Sequence, residues 1–341
     1  DVSCVSASSV IANIPQEKYD IIKMGITKDG AWYRFNGETA LLPEDKWLED
    51  TANLTPAFVS PDPTVGGIVE IINGEAKQTK VDVVFPVLHG KNGEDGTVQG
   101  LLQLAEIPYV GCDMTSSAAC MDKALTNALA DRAGIAQAKW LSYTEHEYRS
   151  NPQKALDECV EKLGYPIFVK PAKAGSSVGI SKASDINELA DAFETAFAND
   201  SKVVLEETVI GSEVECAVLG NDEPVAAVPG EIAPCNDFYD YEAKYVSGDS
   251  GLFIPARISE DMLKKVQKEA IRAYKALGCS GFSRVDFFVN GEEIKLNEIN
   301  TIPGFTSISM YPKLWAHSGL SYPELIDKLL CLAIEKRAHE I

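Results

Sequence analysis

Apolar residues in the first part of the chain fall in extended runs that are separated by turn residues. One run, KVDVVFPVL at residues 80–88, is almost continuously apolar, which is typical of a strand buried on both faces in a parallel sheet. Turns and a few helical segments join it to the other runs. The pattern predicts an α/β layer from Tyr19 to about Gly111.

Helices alternate with strands in the rest of the chain. A helix over residues 121–134 is expected to end at Gly134, because glycine readily adopts the left-handed backbone angles of a helix C-cap. The strands predicted after it cover residues 165–173, 178–183, 202–209 and 212–220, and the helices cover 154–163, 185–198, 261–278 and 323–337. This order of elements predicts an α+β arrangement.

A β-hairpin is predicted over residues 283–300, with Asn290-Gly291 as its turn residues. Apolar positions alternate along both arms: Val285, Phe287, Val289, Ile294 and Leu296. Continued at period two, the apolar face of the second arm next receives Glu298 and then Asn300. A solvated strand end would explain these two oxygen-bearing side chains, and so would a bound cation.

The register of this hairpin decides whether Asp286 joins the two. A three-residue turn over 290–292, or a bulge, would place Asp286 opposite Leu296 and on the same face as the other two. A strict two-residue turn would place it opposite Lys295, on the other face. The first register predicts a site for a hard divalent cation, since Mg²⁺ prefers oxygen ligands.

Composition excludes several classes of function. A formal net charge of −20 argues against a nucleic-acid surface, because such surfaces need excess lysine and arginine to neutralise phosphates. No apolar run approaches the roughly 18 to 20 residues of a membrane span, and no signal peptide is visible. The eight cysteines show no paired spacing, which is typical of reduced core residues in a cytosolic protein.

A loop of small residues follows the predicted strand that contains Lys170. The sequence Gly175 to Gly179, GSSVG, lets backbone N–H groups approach phosphate oxygens closely, and Lys170 would add a positive charge beside them. The order of residues is not that of a Walker A loop. Alone, such a loop is more often only a turn.

Two further loops carry candidate chemistry. The loop after the most apolar run, residues 86–100, contains four glycines together with His89 and Glu94. One histidine with spaced acids makes a poor zinc site, so a role in orienting substrate is the better interpretation. A second loop, residues 238–256, alternates aromatic and charged residues, which favours an ordered lid over a disordered segment.

In combination and in this order, the motifs LHGKNGEDGTVQG, MDK, VKPAKAGSSVGI, YDYEAKY, SRVDFF and NEINTIPGFTS are specific. The chain resembles the D-alanine-D-alanine ligases of the ATP-grasp superfamily over essentially its whole length. The resemblance implies an α/β and α+β fold, the ATP-grasp fold with an N-terminal Rossmann-like α/β domain. The implied domains are residues 1–115, 116–210 and 211–341, with a lid loop over 236–256.

The reaction that the resemblance implies begins with phosphorylation of the first D-alanine by ATP. The amine of the second D-alanine attacks the acyl-phosphate, and the tetrahedral intermediate collapses to D-alanyl-D-alanine, ADP and phosphate. Positioning and charge neutralisation dominate catalysis of this kind. The product would serve peptidoglycan precursor synthesis, and the protein would be a cytoplasmic homodimer.

Roles follow from the resemblance position by position. Residues implied for ATP are Lys123, Lys170, Ser176, Ser177, Glu206, Val209, Glu213 and Lys244. Residues implied for two Mg²⁺ or Mn²⁺ ions are Asp286, Glu298 and Asn300, with Glu298 bridging. Residues implied for catalysis are Arg284, which would stabilise the oxyanion, Ser176 and Tyr245. Residues implied for substrate are His89 and Glu94 for the first D-alanine, and Ser309 and Met310 for the second.

The amino terminus departs from the family pattern. The family's first strand, and a glutamate that binds the ammonium group of the first substrate, would lie just before Asp1. We therefore expect a truncated sequence whose chain as given is inactive. An equal rate of dipeptide formation by this chain and by an extended version would contradict this expectation.

Other functions stay open at this point. Met310 favours D-alanine as the second substrate, because a methyl-sized side chain suits an apolar wall, and D-serine is the alternative. A carboxylase or a glutathione-type ligase would share the ATP residues but would not need HGKNGEDGT or YDYEAKY. A degenerate nucleotide-binding homologue is the third possibility, which the lysines, the acidic set and Arg284 argue against.

Overall fold

The computed structural model describes residues 2–175, 178–233 and 251–340 of the 341-residue chain. Three sheets follow one another along the sequence, and each has its own pattern of helices. None of the described helices combines the length and the apolar character that crossing a membrane requires.

The first sheet is an antiparallel meander of five strands in sequential order. Its strands are β1 (Met24–Ile26), β2 (Trp32–Phe35), β3 (Leu54–Val59), β4 (Gly67–Ile72) and β5 (Glu75–Lys80). The helices of this region are α1 (Val2–Asn13) and α2 (Thr97–Leu104), with short 3₁₀ turns at Thr39–Leu41, Lys46–Leu48 and Thr51–Asn53.

The apolar run at residues 80–88 differs from its prediction as a strand of a parallel sheet. Within the described residues, its ladder is reduced to one parallel bridge between Val84 and Tyr109. Val83 and Phe85 pack toward the core of the C-terminal region, whereas Val84 and Leu88 pack toward the core beneath α2. The run is apolar on both sides because it lies between two cores, which a sequence pattern does not distinguish from a strand between two helix layers.

The second sheet is antiparallel, in the order β6-β9-β7-β8. Its strands are β6 (Trp140–Thr144), β7 (Ile167–Pro171), β8 (Ser181–Ala183) and β9 (Lys202–Glu207). The helices of this region are α3 (Met114–Met121), α4 (Lys123–Ala133), α5 (Glu145–Ser150), α6 (Pro152–Leu163) and α7 (Ile186–Phe197). Gly134 closes α4 with φ +67°, as predicted.

The third sheet contains the order β13-β12-β10-β14-β15, with β11 paired to β10. Its strands are β10 (Ser212–Leu219), β11 (Val225–Ala226), β12 (Gly230–Ala233), β13 (Gly251–Phe253), β14 (Phe282–Asn290) and β15 (Glu293–Asn300). The helices are α8 (Glu260–Ala276), α9 (Met310–His317) and α10 (Tyr322–Glu340). The core under α8 covers one face, and part of the other face packs on α9 and α10.

The hairpin of β14 and β15 has neither of the two registers considered from sequence. Its turn has two residues, Gly291 and Glu292, one position later than predicted, and Gly291 has φ +57°. Phe287 pairs with Leu296, but the next residue, Asp286, pairs with Glu298.

Asn297 is therefore the extra residue of a β-bulge. The bulge corrects the prediction that Glu298 and Asn300 lie on the apolar face. Val285 and Phe287 face the core under α8, as do Leu296 and Ile299. Since successive side chains alternate across a strand, Asp286 lies on the opposite face, together with its partner Glu298. The expectation that Asp286 and Glu298 share a face agrees with the structure, although the pairing that produces it does not.

Candidate functional site

A cleft of about 540 Å³ separates the second sheet from the third. Side chains from α4, β7 and β9 line one wall, and side chains from β10, β12 and β15 line the other. A smaller cavity of about 50 Å³ shares Lys123, Asn127 and Glu298 with the cleft and reaches Glu94. Residues predicted from sequence for different tasks therefore line two cavities that share part of their walls.

Lys123 holds its place at the start of α4. The preceding Asp122 caps this helix by accepting hydrogen bonds from the N–H groups of Ala124 and Leu125. The Lys123 backbone N–H donates to Ala172 O at 2.9 Å, and its Nζ donates to Ala174 O at 2.7 Å. The ammonium group thus lies beside the beginning of the predicted phosphate loop.

Lys170 and Glu206 form an ion pair in the same wall. Lys170 Nζ lies 2.5 Å from Glu206 Oε2, and Asn127 Nδ2 donates to Glu206 Oε1 at 3.4 Å. Antiparallel pairing of β7 with β9 places Phe168 opposite Glu206, so Phe168 and Lys170, two residues apart, face the cleft together. Asn127 was not predicted, because one polar residue in the helix over 121–134 carries no distinguishing signal.

Arg284 and Asp286 contact each other on the face of the third sheet that is turned away from α8. Arg284 Nε donates to Asp286 Oδ1 at 2.8 Å, and its terminal N–H donates to Asp286 Oδ2 at 2.7 Å. Asn300 Nδ2 also donates to Asp286 Oδ2, at 2.9 Å. Burial disfavours the charged guanidinium, but Asp286 and Glu215 raise the pKa of Arg284 above its ordinary value.

Three carboxylates form a row across the third sheet. Glu215 on β10 pairs with Asp286 on β14, and Asp286 pairs with Glu298 on β15. Glu215 was missed from sequence and is 6% exposed. The alternation of Glu213 and Glu215 in SEVECAVLG was a signal that could have found it, because residues two apart on a strand share a face.

The oxygen donors of Asp286, Glu298 and Asn300 fit a hard divalent cation. Two carboxylates and one amide match the few protein ligands that Mg²⁺ takes when substrate phosphates complete its coordination. Over residues 2–175, 178–233 and 251–340, no group of three or more His, Cys, Asp or Glu side chains is arranged to hold a metal ion. These three residues therefore fit a cation whose remaining ligands come from a bound substrate.

His89 and Glu94 are held together by their own loop and by α1. His89 Nδ1 lies 3.8 Å from Glu94 Oε1, and the Gly90 N–H donates to Glu94 Oε2 at 2.6 Å. Ser6 Oγ lies 3.1 Å from His89 Nε2, and Ser3 Oγ accepts from the His89 N–H at 3.1 Å. Both serines were missed, because their partner is more than eighty residues away in sequence.

Ser309 and Met310 lie apart from the cleft and from the smaller cavity. Ser309 Oγ accepts from the Thr306 N–H at 3.0 Å at the start of α9. Met310 is 5% exposed and packs in the same core as Leu314 and Ile232. Among the described residues that line the two cavities, neither Ser309 nor Met310 occurs.

The remaining predicted residues divide into two groups. Val209 and Glu213, which the resemblance assigns to the nucleotide pocket, line the cleft. Ser176, Ser177, Lys244 and Tyr245 lie outside the described residues, as does most of the predicted lid over 236–256.

Comparisons with known proteins cover nearly the whole chain. Residues 1–112 match the family described as the D-ala D-ala ligase N-terminus, and residues 129–331 match the one described as the D-ala D-ala ligase C-terminus. A D-alanine-D-alanine ligase of Acetivibrio thermocellus is 49% identical, over 98% of this chain and 93% of its own length.

Solved structures agree with these matches. The crystal structure of the VanG D-Ala:D-Ser ligase from Enterococcus faecalis has a TM-score of 0.89 and 48% identity, covering 97% of this chain and 95% of that one. The D-alanine-D-alanine ligase from Coxiella burnetii has a TM-score of 0.85 and 34% identity, covering 99% and 92%.

Proposed function

This chain belongs to the D-alanine-D-alanine ligase family, and from that premise we propose that its cleft joins two D-alanines for peptidoglycan precursor synthesis. It is a ligase that forms a C–N bond and consumes ATP. One observation carries the proposal: lysines line one wall of the cleft, and an acidic row with Arg284 lies on the sheet that forms the other. Such a pair of walls suits phosphoryl transfer to a carboxylate.

The lysine wall would hold the nucleotide. Lys123 and Lys170 would neutralise phosphate oxygens, and Ser176 and Ser177 would cover them. The adenine and ribose pocket would be lined by Glu206, Val209 and Glu213. Support comes from the ion pair of Lys170 with Glu206, which keeps the ammonium group extended into the cleft before a ligand arrives.

The acidic face would hold two Mg²⁺ or Mn²⁺ ions through Asp286, Glu298 and Asn300, with Glu298 between them. When bound, the ions supply positive charge that screens the phosphate oxygens from the carboxylates. Arg284 is 17% exposed at its side chain and stays charged there. Its guanidinium would donate hydrogen bonds to the oxyanion of the tetrahedral intermediate.

The first D-alanine would bind near His89 and Glu94. Its carboxylate oxygen attacks the γ-phosphorus of ATP and displaces ADP, which gives the acyl-phosphate. The amine of the second D-alanine then attacks the acyl carbon, loses a proton, and phosphate leaves. Lys244 and Tyr245 would close over the reacting groups and exclude water.

The second subsite would take D-alanine, with D-serine as the second candidate. The similarity to a D-Ala:D-Ser ligase, at 48% identity, is the observation that keeps D-serine in view. Met310 would act from the core as an apolar support of the subsite formed with Ser309. A comparison of kcat/KM for D-alanine, D-serine and D-lactate as acceptors decides, and a preference for D-serine would overturn the choice.

The organisation around the site follows the three sheets. We propose domains over residues 1–115, 116–210 and 211–341, with a lid over 236–256. We also propose a homodimer in the cytoplasm, where ATP and D-alanine are available. Sedimentation of the purified chain tests the dimer, and a monomer at all protein concentrations would contradict it.

The decisive experiment measures phosphate release from ATP with and without D-alanine. It is made on the chain as given and on a version extended at its amino terminus. We expect release that depends on D-alanine, with D-alanyl-D-alanine as product, in at least one of the two versions. Heat from binding of Mg-ATP without dipeptide formation in either version would favour a nucleotide-binding homologue instead.

A further inference from the structure

We propose that Glu215 is a positioning residue that holds Arg284 when a divalent cation occupies Asp286. The proposal rests on the cation site of the proposed function and assigns a role to a carboxylate outside that site's predicted ligands. It is carried by the place of Glu215 in the sheet, by its distance to Arg284, and by its burial.

Register places Glu215 next to the reacting groups. It lies directly opposite Asp286 in the ladder of β10 and β14, on the face that also carries Glu298. Arg284 lies two pairs further along the same ladder, opposite Ala217. Because side chains two apart on a strand share a face, Arg284 can reach both Asp286 on its own strand and Glu215 on the next.

The guanidinium lies between the two carboxylates. Its Nε is 2.8 Å from Asp286 Oδ1 and 3.2 Å from Glu215 Oε2. A small rotation of Arg284 therefore exchanges one carboxylate for the other without moving either strand. Both carboxylates are buried, with Glu215 6% and Asp286 8% exposed, so water does not replace either partner.

A cation at Asp286 would force this exchange. The cation and Arg284 compete for the same two oxygens, and their like charges repel each other. A buried guanidinium that loses its carboxylate is destabilised strongly, so displacement would be costly if Asp286 were its sole anion. Glu215 offsets that cost, and it keeps Arg284 near the place where the oxyanion would form.

Removal of Glu215 should therefore weaken cation binding through Arg284. In Glu215→Gln the guanidinium depends on Asp286, and the cation must displace it without compensation. We expect the Kd for Mn²⁺ to rise about fivefold or more, the size of a typical coupling between two sites. In an Arg284→Met background the competitor is absent, so the same substitution should change the Kd less than twofold.

The test titrates Mn²⁺ into the full chain in the presence of the β,γ-imido analogue of ATP, with free Mn²⁺ followed by electron paramagnetic resonance. Four proteins form a double-mutant cycle: the unmutated chain, E215Q, R284M and E215Q/R284M. Glu215→Asp keeps the charge and should lie between the unmutated chain and E215Q. Glu70→Gln is the matched control, since Glu70 is 3% exposed and pairs with Arg34 at 2.9 Å in the first sheet.

The outcomes separate the inference from the proposed function. An unchanged Kd in E215Q would overturn the inference alone. An equal weakening in both backgrounds would also overturn it, because Glu215 would then act on the cation directly. No Mn²⁺ binding by the unmutated chain would overturn the cation site and with it the inference. Thermal unfolding checks that each variant folds. If E215Q does not fold, the Kd of E215D is compared with that of the unmutated chain instead.

Discussion

The two walls of the cleft carry opposite charge. On the second sheet and α4, three lysines line the cleft against two glutamates. On the third sheet and the segment that follows β13, the cleft is lined by three glutamates and one arginine: Glu213, Glu231, Glu298 and Arg257. Each wall pairs part of its charge internally, through Lys170 with Glu206 on one side and Arg257 with Glu231 on the other.

Two walls of opposite charge can bind an anionic substrate from both sides. A triphosphate is attracted directly by the lysine wall, whereas the acidic wall repels it. At an effective dielectric constant of about 20, two unit charges 4 Å apart interact by about 4 kcal/mol, so the repulsion is not negligible. The acidic wall therefore needs a cation between itself and the phosphates, and the lysine wall does not.

The largest expected effect comes from removing a charge of the lysine wall. Lys170→Met takes away a direct phosphate contact and leaves Glu206, which is 8% exposed, without its cation. We expect the Kd for Mg-ATP to rise roughly 10- to 100-fold, since a hydrogen bond to a charged group is worth about 1.5–3 kcal/mol. Isothermal titration calorimetry measures it.

Lys182→Met is the matched control for that wall. Lys182 also lines the cleft, but its ammonium group lies over the ring of Phe168, 5.9 Å from the centroid. We expect less than a threefold change in Kd, a small effect because an exposed cation–π contact is worth about 0.5–1 kcal/mol. Equal effects of the two substitutions would mean that Lys170 has no special contact with phosphate.

The second effect tests whether the acidic wall acts only through a cation. Glu298→Gln should raise the Kd for Mn²⁺ about tenfold in the presence of nucleotide, or about 1.4 kcal/mol, because one charged ligand is lost. Binding of nucleotide in EDTA should stay within about twofold of the unmutated chain. Electron paramagnetic resonance and calorimetry give the two affinities.

Glu292→Gln controls for a carboxylate at the other end of the same hairpin. Glu292 is a turn residue, 83% exposed at its side chain, and contacts Lys265. Neither affinity should change. If Glu298→Gln weakened nucleotide binding equally with and without Mn²⁺, the acidic wall would contact the nucleotide itself. The acidic wall would then not need a cation between itself and the phosphates.

The smallest effect concerns the edge of the acidic wall, where the protein balances its own charge. Hydrogen bonds from Arg257 lower the pKa of Glu231 below its ordinary value, although burial opposes them. A carboxyl whose folded pKa is lowered stabilises the fold above about pH 4.5 and loses that contribution as the pH falls through its folded pKa. Arg257 is 55% exposed, so solvent screening reduces the contribution.

Glu231→Gln should therefore lower the free energy of unfolding by about 1 kcal/mol at pH 7. The difference from the unmutated chain should shrink as the pH falls below 4. Urea unfolding at pH 7 and below pH 4 measures the free energy of unfolding of both proteins. Glu223→Gln, at a carboxylate 95% exposed, should leave the unfolding midpoint unchanged. A difference that grows toward acid pH would contradict the assigned direction of the pKa shift.

Much of the site could be predicted from sequence. Lys123 and Glu213 line the cleft, and Asp286 and Glu298 share a face as expected, although the pairing that brings them together was not predicted. Asn127 and Glu215 were missed. Their positions beside Glu206 and Arg284 depend on contacts between elements far apart in the chain.

The loop of His89 also contains residues that the sequence predicts and depends on residues that it does not. The glycines of HGKNGEDG and the carboxylate of Glu94 are visible in the sequence, and the Gly90 N–H does donate to Glu94. The contributions of Ser3 and Ser6 are not visible, since α1 and this loop are more than eighty residues apart in the sequence and meet only in the folded chain.

By itself, the sequence determined the composition of the site: lysines beside a loop of small residues, acids and an amide at the end of a hairpin, and an arginine two residues from an acid. Periodicity of two also determined that β14 has one apolar face. These are local properties, set by residue type and by the alternation of side chains.

Only the tertiary structure decided which face of β15 carries the acids. Without the bulge at Asn297, Glu298 would pair with Val285, and its side chain would point into the core under α8. A bulge depends on how two strands twist and bend against their neighbours, which a period of two does not encode. One extra residue therefore moves Glu298 and Asn300 from the core to the cleft side of the sheet.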